Sequence, residues 1–342
     1  MRQKRGATAN ALTRKGRGTM TRTGTKNATP AAGDITGAQA IIELAEDVRL
    51  VALGYTMSVY TNKLLSQQPK GVLSAYDRYL RLYQRDLPPY YATENMNRHK
   101  KASKATFDML ATWLQPGAPP REFISLDLQA TESPNDAPRD SFHVYGTEPA
   151  YPDHSDDDAR VVAMSLDPAV CDAATLLEVF VETCSAIEFR SALAGFGMNT
   201  SRYEEEEAQT HAWAMGMRFR ALDIPRMVDD ALAVGSDGVK GVGWLTALGP
   251  EILDQLGGKA ALRKALPAEV ALIDLPNGIV LKAGEAPILG DRNRREPLAH
   301  YQKIYGLLAP WIDRAAKRSP SFNLETDYVD RTEAWFHRLA DA

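Results

Sequence analysis

GVGWLTALGPEILDQLGGKAALRKALPAEVALIDLPNGIVLKAG, residues 241–284, decides the fold class. It predicts a strand over residues 241–247, helices over 250–256 and 260–266, and two more strands over 269–274 and 279–283. The last two flank Pro276-Asn277-Gly278. Asn-Gly between apolar runs is a hairpin signal, because both central turn positions need positive φ. Working outward, residues 48–61 are β-branched and aromatic and read as a strand. Residues 70–84 carry Val72, Leu73, Tyr76, Leu80 and Tyr83 at helical spacing, and Pro88 and Pro89 break the chain after them. A second helix is expected over 104–114, then strands over 122–130, 141–147 and 160–166, joined by Pro-, Asn- and Asp-rich turns. Helices over 172–185 and 203–221 enclose a strand over 188–195. A last helical region, 297–316, is expected to break at Pro310. The fold class is therefore α+β, antiparallel sheets with packed helices. Strand, helix, helix, hairpin describes 48–147 and again 241–283, which would make two related β-α-α-β-β halves, 37–170 and 171–318, with the helices on one side.

The 342 residues carry 44% hydrophobic and 25% charged residues, ordinary for a globular protein, and the distribution of charge says more than the net of −4. Residues 1–34 hold eight Lys or Arg and one acid, Asp34, which leaves a net of −11 on the remainder. The body thus disfavours nucleic acid and favours a basic protein partner. Residues 1–36, rich in Thr, Arg, Gly and Ala, lack the apolar content to offset chain entropy and read as a disordered basic tail. Residues 319–342 are set apart as a C-terminal extension. Cys171 and Cys184 lie far apart along one helix, which suggests neither a disulfide nor a zinc site but two small buried residues. No apolar run reaches membrane-spanning length and no secretory signal is visible, so the expected location is cytoplasmic.

Catalytic signatures are absent: no nucleophile elbow, no phosphate loop, no His-Glu-x-x-His. Gly195-Phe196-Gly197 and Gly241-Val242-Gly243 read as places where a side chain would clash, not as a dinucleotide fingerprint. The six histidines are scattered, with no pair at ligand spacing. No catalytic residue, metal or cofactor is assigned. The acidic segments carry the candidate binding surface: Asp156, Asp157 and Asp158 in a turn, Glu204, Glu205, Glu206 and Glu207 opening a helix, and Asp229 and Asp230. A helix start alone explains the four glutamates through the macrodipole. Together, however, these carboxylates could face a basic groove. A metal-dependent hydrolase built on Asp153, Asp156, Asp158 and His211 is the alternative, as is an adaptor that binds its protein partner without inhibiting it.

Five segments in order, FGMN (196–199), RFRALDIPR (218–226), KGVGWLTALGPEILDQLGG (240–258), DLPNGIVLKAGEAPILGDRNR (274–294) and LLAPWI (307–312), resemble the type VI immunity family. Its members include neutralisers of bacterial effector nucleases of the VRR-Nuc class. The resemblance covers roughly residues 40–316. It implies a cytoplasmic immunity protein whose partner is a cognate effector toxin, a VRR-Nuc DNase blocked at its DNA-binding cleft, with no cofactor. The shared motifs are Gly, Pro, Trp and Leu, so no functional residue transfers from them. Specificity should reside in surface residues matched to one toxin.

Overall fold

The computed structural model describes residues 41–43, 48–83, 87–203, 205–318, 323–324 and 329–340. The basic tail over 1–36 lies outside the described residues. The described residues belong to one unit within Ala32–Ala342.

A short strand β1 (Ile41–Glu43) pairs with β2 (Arg49–Thr61), whose thirteen residues are nearly all buried. Helix α1 (Pro69–Leu82) follows. The chain then makes two small edge strands, β3 (Tyr90–Ala92) and β4 (Lys100–Lys101), and two short helices, α2 (Lys104–Phe107) and α3 (Met109–Leu114). A meander comes next: β5 (Phe123–Ala130), β6 (Asp140–Thr147) and β7 (Arg160–Leu166). Helix α4 (Ala173–Ala186) leads to β8 (Ser191–Thr200), α5 (Glu205–Arg218) and α6 (Met227–Val234). The stretch that opened the argument forms β9 (Leu245–Leu248), α7 (Pro250–Gln255), α8 (Gly258–Ala265), β10 (Val270–Leu275) and β11 (Gly278–Ala283). Helix α9 (Ala299–Arg318), a small hairpin of β12 (Asn323–Leu324) and β13 (Val329–Asp330), and α10 (Thr332–Phe336) complete the described chain.

Strands β1 to β11 form one sheet, ordered β10-β11-β9-β8-β2-β7-β6-β5-β3-β4 with β1 added along β2. Its strand pairs are antiparallel. Side chains alternate across it. One face presents Met57, Met164 and Phe142 in register, and Tyr76 and Tyr79 of α1 pack their rings on Phe142. The opposite face presents Tyr60, Val161 and Ala163, covered by Ala231 and Val234 of α6. Helices therefore cover both faces, not one. The two segments proposed as repeats also differ in strand order: β9 bonds its hairpin directly at β11, whereas β7 stands between β2 and β6.

Glycine permits three close approaches. A Cβ on Gly71 of α1 would lie 2.2 Å from the Ala186 carbonyl oxygen, so the missing side chain lets α1 seat against the end of α4. One on Gly197 would lie 2.1 Å from Thr56 Oγ1, and one on Gly243 would lie 2.6 Å from the Ala194 carbonyl, as the clash reading expects. Gly241 differs, with open space around it.

Helix α9 continues through Pro310 where a break is expected. Proline costs about 3 kcal/mol in a helix interior. Tyr301, Ile304, Leu308, Trp311 and Ile312 are all buried, at about 1.5–3 kcal/mol for each large apolar side chain, so packing outweighs propensity. The Val239 N–H also donates to the Trp311 carbonyl at 3.1 Å. In the C-terminal segment set apart as an extension, described residues join the fold: Trp335, Phe336 and Leu339 are buried in the main core. The Arg338 guanidinium donates to the carbonyls of Arg220, Leu222 and Trp335. Cys171 and Cys184 are free thiols in the core, pushed up by burial, to about 12 for Cys171.

Candidate functional site

The α6 face of the sheet changes from apolar to polar towards the β5 edge. Strand alternation sets Ser125, Asp127 and Gln129 of β5 and Ser141 and His143 of β6 on that face. Asp127 lies directly opposite His143, and Gln129 opposite Ser141. Ser141 in turn faces Ser165, whose hydroxyl donates to Asn199 Oδ1 at 2.9 Å. Asp127, Gln129, Ser141, His143 and Asn199 form much of the floor of a cleft of about 330 Å³. Its walls come from Arg202 after β8, the first turns of α5, and the start of α6 at Arg226.

Asp127 is the electrostatic centre of the floor. Arg202 reaches it at 2.9 Å and His99 Nε2 at 3.1 Å. Burial alone would raise the Asp127 carboxyl, but Arg202, with His143 and His99, holds it well below the usual carboxylate range. His99 is fixed in turn by Tyr203, whose hydroxyl accepts from the His99 backbone N–H at 2.5 Å. His143 is different. It is 3% exposed, its Nδ1 lies 3.9 Å from Asp127, too far for a hydrogen bond, and neither ring nitrogen has a hydrogen-bond partner. Burial lowers its pKa, partly countered by Asp127, so the ring is neutral at pH 7.

The acidic residues expected from the sequence divide. Glu205, Glu206 and Glu207 form the exposed first turn of α5, where the dipole favours them, while Glu204 lies outside the described residues. Glu205 and Asp229 converge on Arg226 at the start of α6: Glu205 lies 3.7 Å away and Asp229 forms a tighter ion pair. Near the other end of α6, Ser236 donates to Asp157 at 3.0 Å, which ties the 156–158 turn there. Asp156 and Asp157 are exposed and Asp158 is half-buried. Helix α6 thus joins two acidic segments across about 12 Å, eight residues at 1.5 Å each.

Asp230 does not belong to that surface. One helical step, about 100°, turns it inward from Asp229, and it is 2% exposed. There it accepts from Lys240 Nζ at 2.7 Å and from the Arg226 backbone N–H at 2.7 Å. Lys240 also contacts Asp223 at 2.9 Å. Burial alone would lower the Lys240 pKa, but Asp223 and Asp230 hold it above the ordinary lysine value. The triad is a buried clamp that fixes α6.

The chain matches the family described as "Type VI immunity for VRR-NUC" over residues 71–339. It belongs to that family. Among solved structures, the Pseudomonas aeruginosa T6SS protein PA0821 shares the fold, with a TM-score of 0.73, 19% sequence identity and 87% of each chain covered. No curated protein shows significant sequence similarity to the chain.

As a type VI immunity protein, the chain keeps its whole cleft and both acidic segments inside the matched region, and the match also takes in α10. The hydrolase alternative does not assemble. His211 lies near Glu207 at 4.0 Å and His154 near Asp156 at 3.4 Å. Among the described residues no group of three or more His, Cys, Asp or Glu is arranged to hold a metal ion, and no helix is long and apolar enough to cross a membrane. Sequence reading missed the cleft because His99, Asp127, His143 and Arg202 meet only through sheet register. The available signal was the alternation Ser125-Leu126-Asp127-Leu128-Gln129, which marks one strand face as polar.

Proposed function

We propose that this immunity protein binds a VRR-Nuc-type effector in the cytoplasm and neutralises it one to one, without catalysis, by covering its DNA-binding cleft with a carboxylate-bearing surface. The observation that carries the reading is the placement of Glu205–Glu207 with Asp229, and of Asp156–Asp158, at opposite ends of α6. Segments far apart in sequence share one ridge on a body of net charge −11 outside residues 1–34. A nuclease must be basic around its cleft to bind phosphate. An acidic ridge competes for that groove and speeds encounter by electrostatic steering.

The test is titration of effector DNase activity with this protein, beside the association kinetics of D156K/D157K/E206K/E207K. Inhibition should reach completion at one equivalent. The variant should associate at least about tenfold more slowly at low salt, with the gap closing as salt rises. Inhibition at catalytic doses would indicate an enzyme, and a complex that still cleaves DNA would indicate an adaptor. An unchanged association rate would move the interface off this ridge.

A further inference from the structure

The two edges of the large sheet differ. At one end stands β4, two residues long, with Lys100 and Lys101 both exposed. A very short strand carrying lysines is a common defence against pairing with another chain. At the other end stands β10, Val270-Ala271-Leu272-Ile273-Asp274-Leu275, with no proline and no break in register. Leu275 and Gly278 close the two-residue turn as a hydrogen-bonded pair, so Leu275, Ile273 and Ala271 turn their main-chain groups towards β11. Val270, Leu272 and Asp274 turn theirs outward. The Ala283 N–H, opposite Val270, accordingly points away from β10 and donates to the Trp244 carbonyl at 2.8 Å. The Val270 N–H donates to the Pro267 carbonyl at 3.0 Å, whereas the main-chain groups of Leu272 and Asp274 have no partner among the described residues. Charge does not guard this edge either: Lys259 and Arg263 of α8 hold the Asp274 carboxylate at 2.8 and 2.9 Å.

We infer that β10 pairs antiparallel with β10 of a second copy of this chain, about a two-fold axis at Leu272, and so joins two sheets into one. A two-fold interface sets one surface against itself and must be self-complementary. In this register each Leu272 N–H donates to the other copy's Leu272 carbonyl, and each Asp274 N–H to the other copy's Val270 carbonyl. None of these four bonds uses a group already engaged. Ala271 comes to lie beside the other copy's Ile273, an apolar pair with Cα atoms about 4.5 Å apart. The two Asp274 residues stand about 14 Å apart along the strands, beyond the Debye length at physiological salt. Strand β2, beneath α6, lies four strand spacings from β10, about 19 Å, so pairing here leaves the acidic ridge uncovered. The inference therefore stands apart from the effector. A contact of one strand edge is at the small end of interfaces, so the expected Kd is roughly 1–100 µM.

Sedimentation velocity of the full chain over roughly 1–300 µM should show a concentration-dependent passage from monomer to dimer. L272C tests the place: its two thiols would meet at the axis, with Cα atoms about 5.5 Å apart and within disulfide reach. Under mild oxidation it should cross-link into a dimer. Wild type, whose Cys171 and Cys184 are buried, should not, nor should K100C at the opposite edge. L272K sets like charges opposite each other and should weaken the dimer by about tenfold or more. Where L272K also lowers the melting temperature, the L272C cross-link decides. A chain that stays monomeric throughout overturns the inference, as does a dimer that L272C does not cross-link or that K100C cross-links equally. A monomeric chain whose L272K variant loses affinity for an effector would assign this edge to an effector strand and overturn the second copy.

Discussion

Replacing Lys240 with Met tests whether α6, and with it the acidic ridge, is held by a buried ionic clamp. The ammonium is 1% exposed and contacts Asp230 at 2.7 Å, Asp223 at 2.9 Å and the Ile224 carbonyl at 3.0 Å. Methionine matches the stem in length and supplies no charge, so two buried carboxylates would be left together. Arg338 cannot take over, because its guanidinium is engaged by three carbonyls. Breaking a buried pair by removing one partner costs about 3–5 kcal/mol. An unfolding entropy of roughly 2.1 cal/mol/K per residue over about 300 residues gives on the order of 0.6 kcal/mol per degree, hence a fall of about 5–8 °C in Tm. Thermal and urea melts at pH 7.5 read this directly. The triple variant D223N/K240M/D230N removes all three charges and should recover most of the loss, since an uncharged replacement of a buried triad is often neutral. K240M melting within about 2 °C of wild type would refute the clamp.

Asp140, its carboxyl raised to about 6 chiefly by burial, accepts from the Tyr83 hydroxyl and the Asp167 N–H on the same oxygen. Asp140→Asn keeps both bonds and removes the buried charge, so stability at pH 7.5 should rise by up to roughly 3 kcal/mol, with the gain fading as pH falls towards 4; no gain in a urea melt would contradict the assignment. His143 gives the opposite slope. Its folded pKa lies below the unfolded value of about 6.5, so stability falls as pH drops through that window, where only the unfolded chain takes up the proton. His143→Gln should lose that part of the wild-type pH dependence, read as the difference in Tm between the two proteins from pH 7.5 to 5. Gly71→Ala should destabilise by about 1–3 kcal/mol, because its Cβ meets backbone at Ala186. Gly306→Ala in α9, with nothing within 4 Å, should instead gain up to about 1 kcal/mol, and equal melts for the two would remove the packing argument.

The strands β2, β5, β6 and β7 and the hairpin were legible because their signals are local: β-branched runs, alternation and the turn-forming run Pro276-Asn277-Gly278. The expected positive φ is not used, because the turn falls on Pro276 and Asn277 and Gly278 already pairs with Leu275. Strand β8 was legible only in its first half: the expected strand stops at Gly195, whereas the observed one runs on to Thr200 with Gly197 beneath Thr56. Helix α6 went unread because eight residues with an uncapped start carry little periodic signal, and its position depends on Lys240, a residue beyond its own end. The acidic segments were visible as segments. Their division into half-buried Asp229 and buried Asp230 was not, because helix phase is set by what the helix packs on. The meeting of His99 and His143 on Asp127 depends on pairing across three strands and on a loop, which no spacing within one chain segment encodes.

The place of β2 at the centre of the sheet has a consequence for biosynthesis. Its neighbours are β7 on one side and β8 on the other, with Tyr60 meeting Ser191 and Val51 meeting Thr200. A ribosome adding roughly 5–20 residues per second needs on the order of 7–30 s to deliver that second neighbour after β2 emerges. During this interval a long apolar strand waits with at least one hydrogen-bonding edge open, the state most prone to pairing with a foreign chain. Non-local antiparallel pairing then adds its own slow closure. Newly made chains would therefore lag behind an incoming toxin, and a cell protected by this protein would depend on the stock already folded when the toxin arrives.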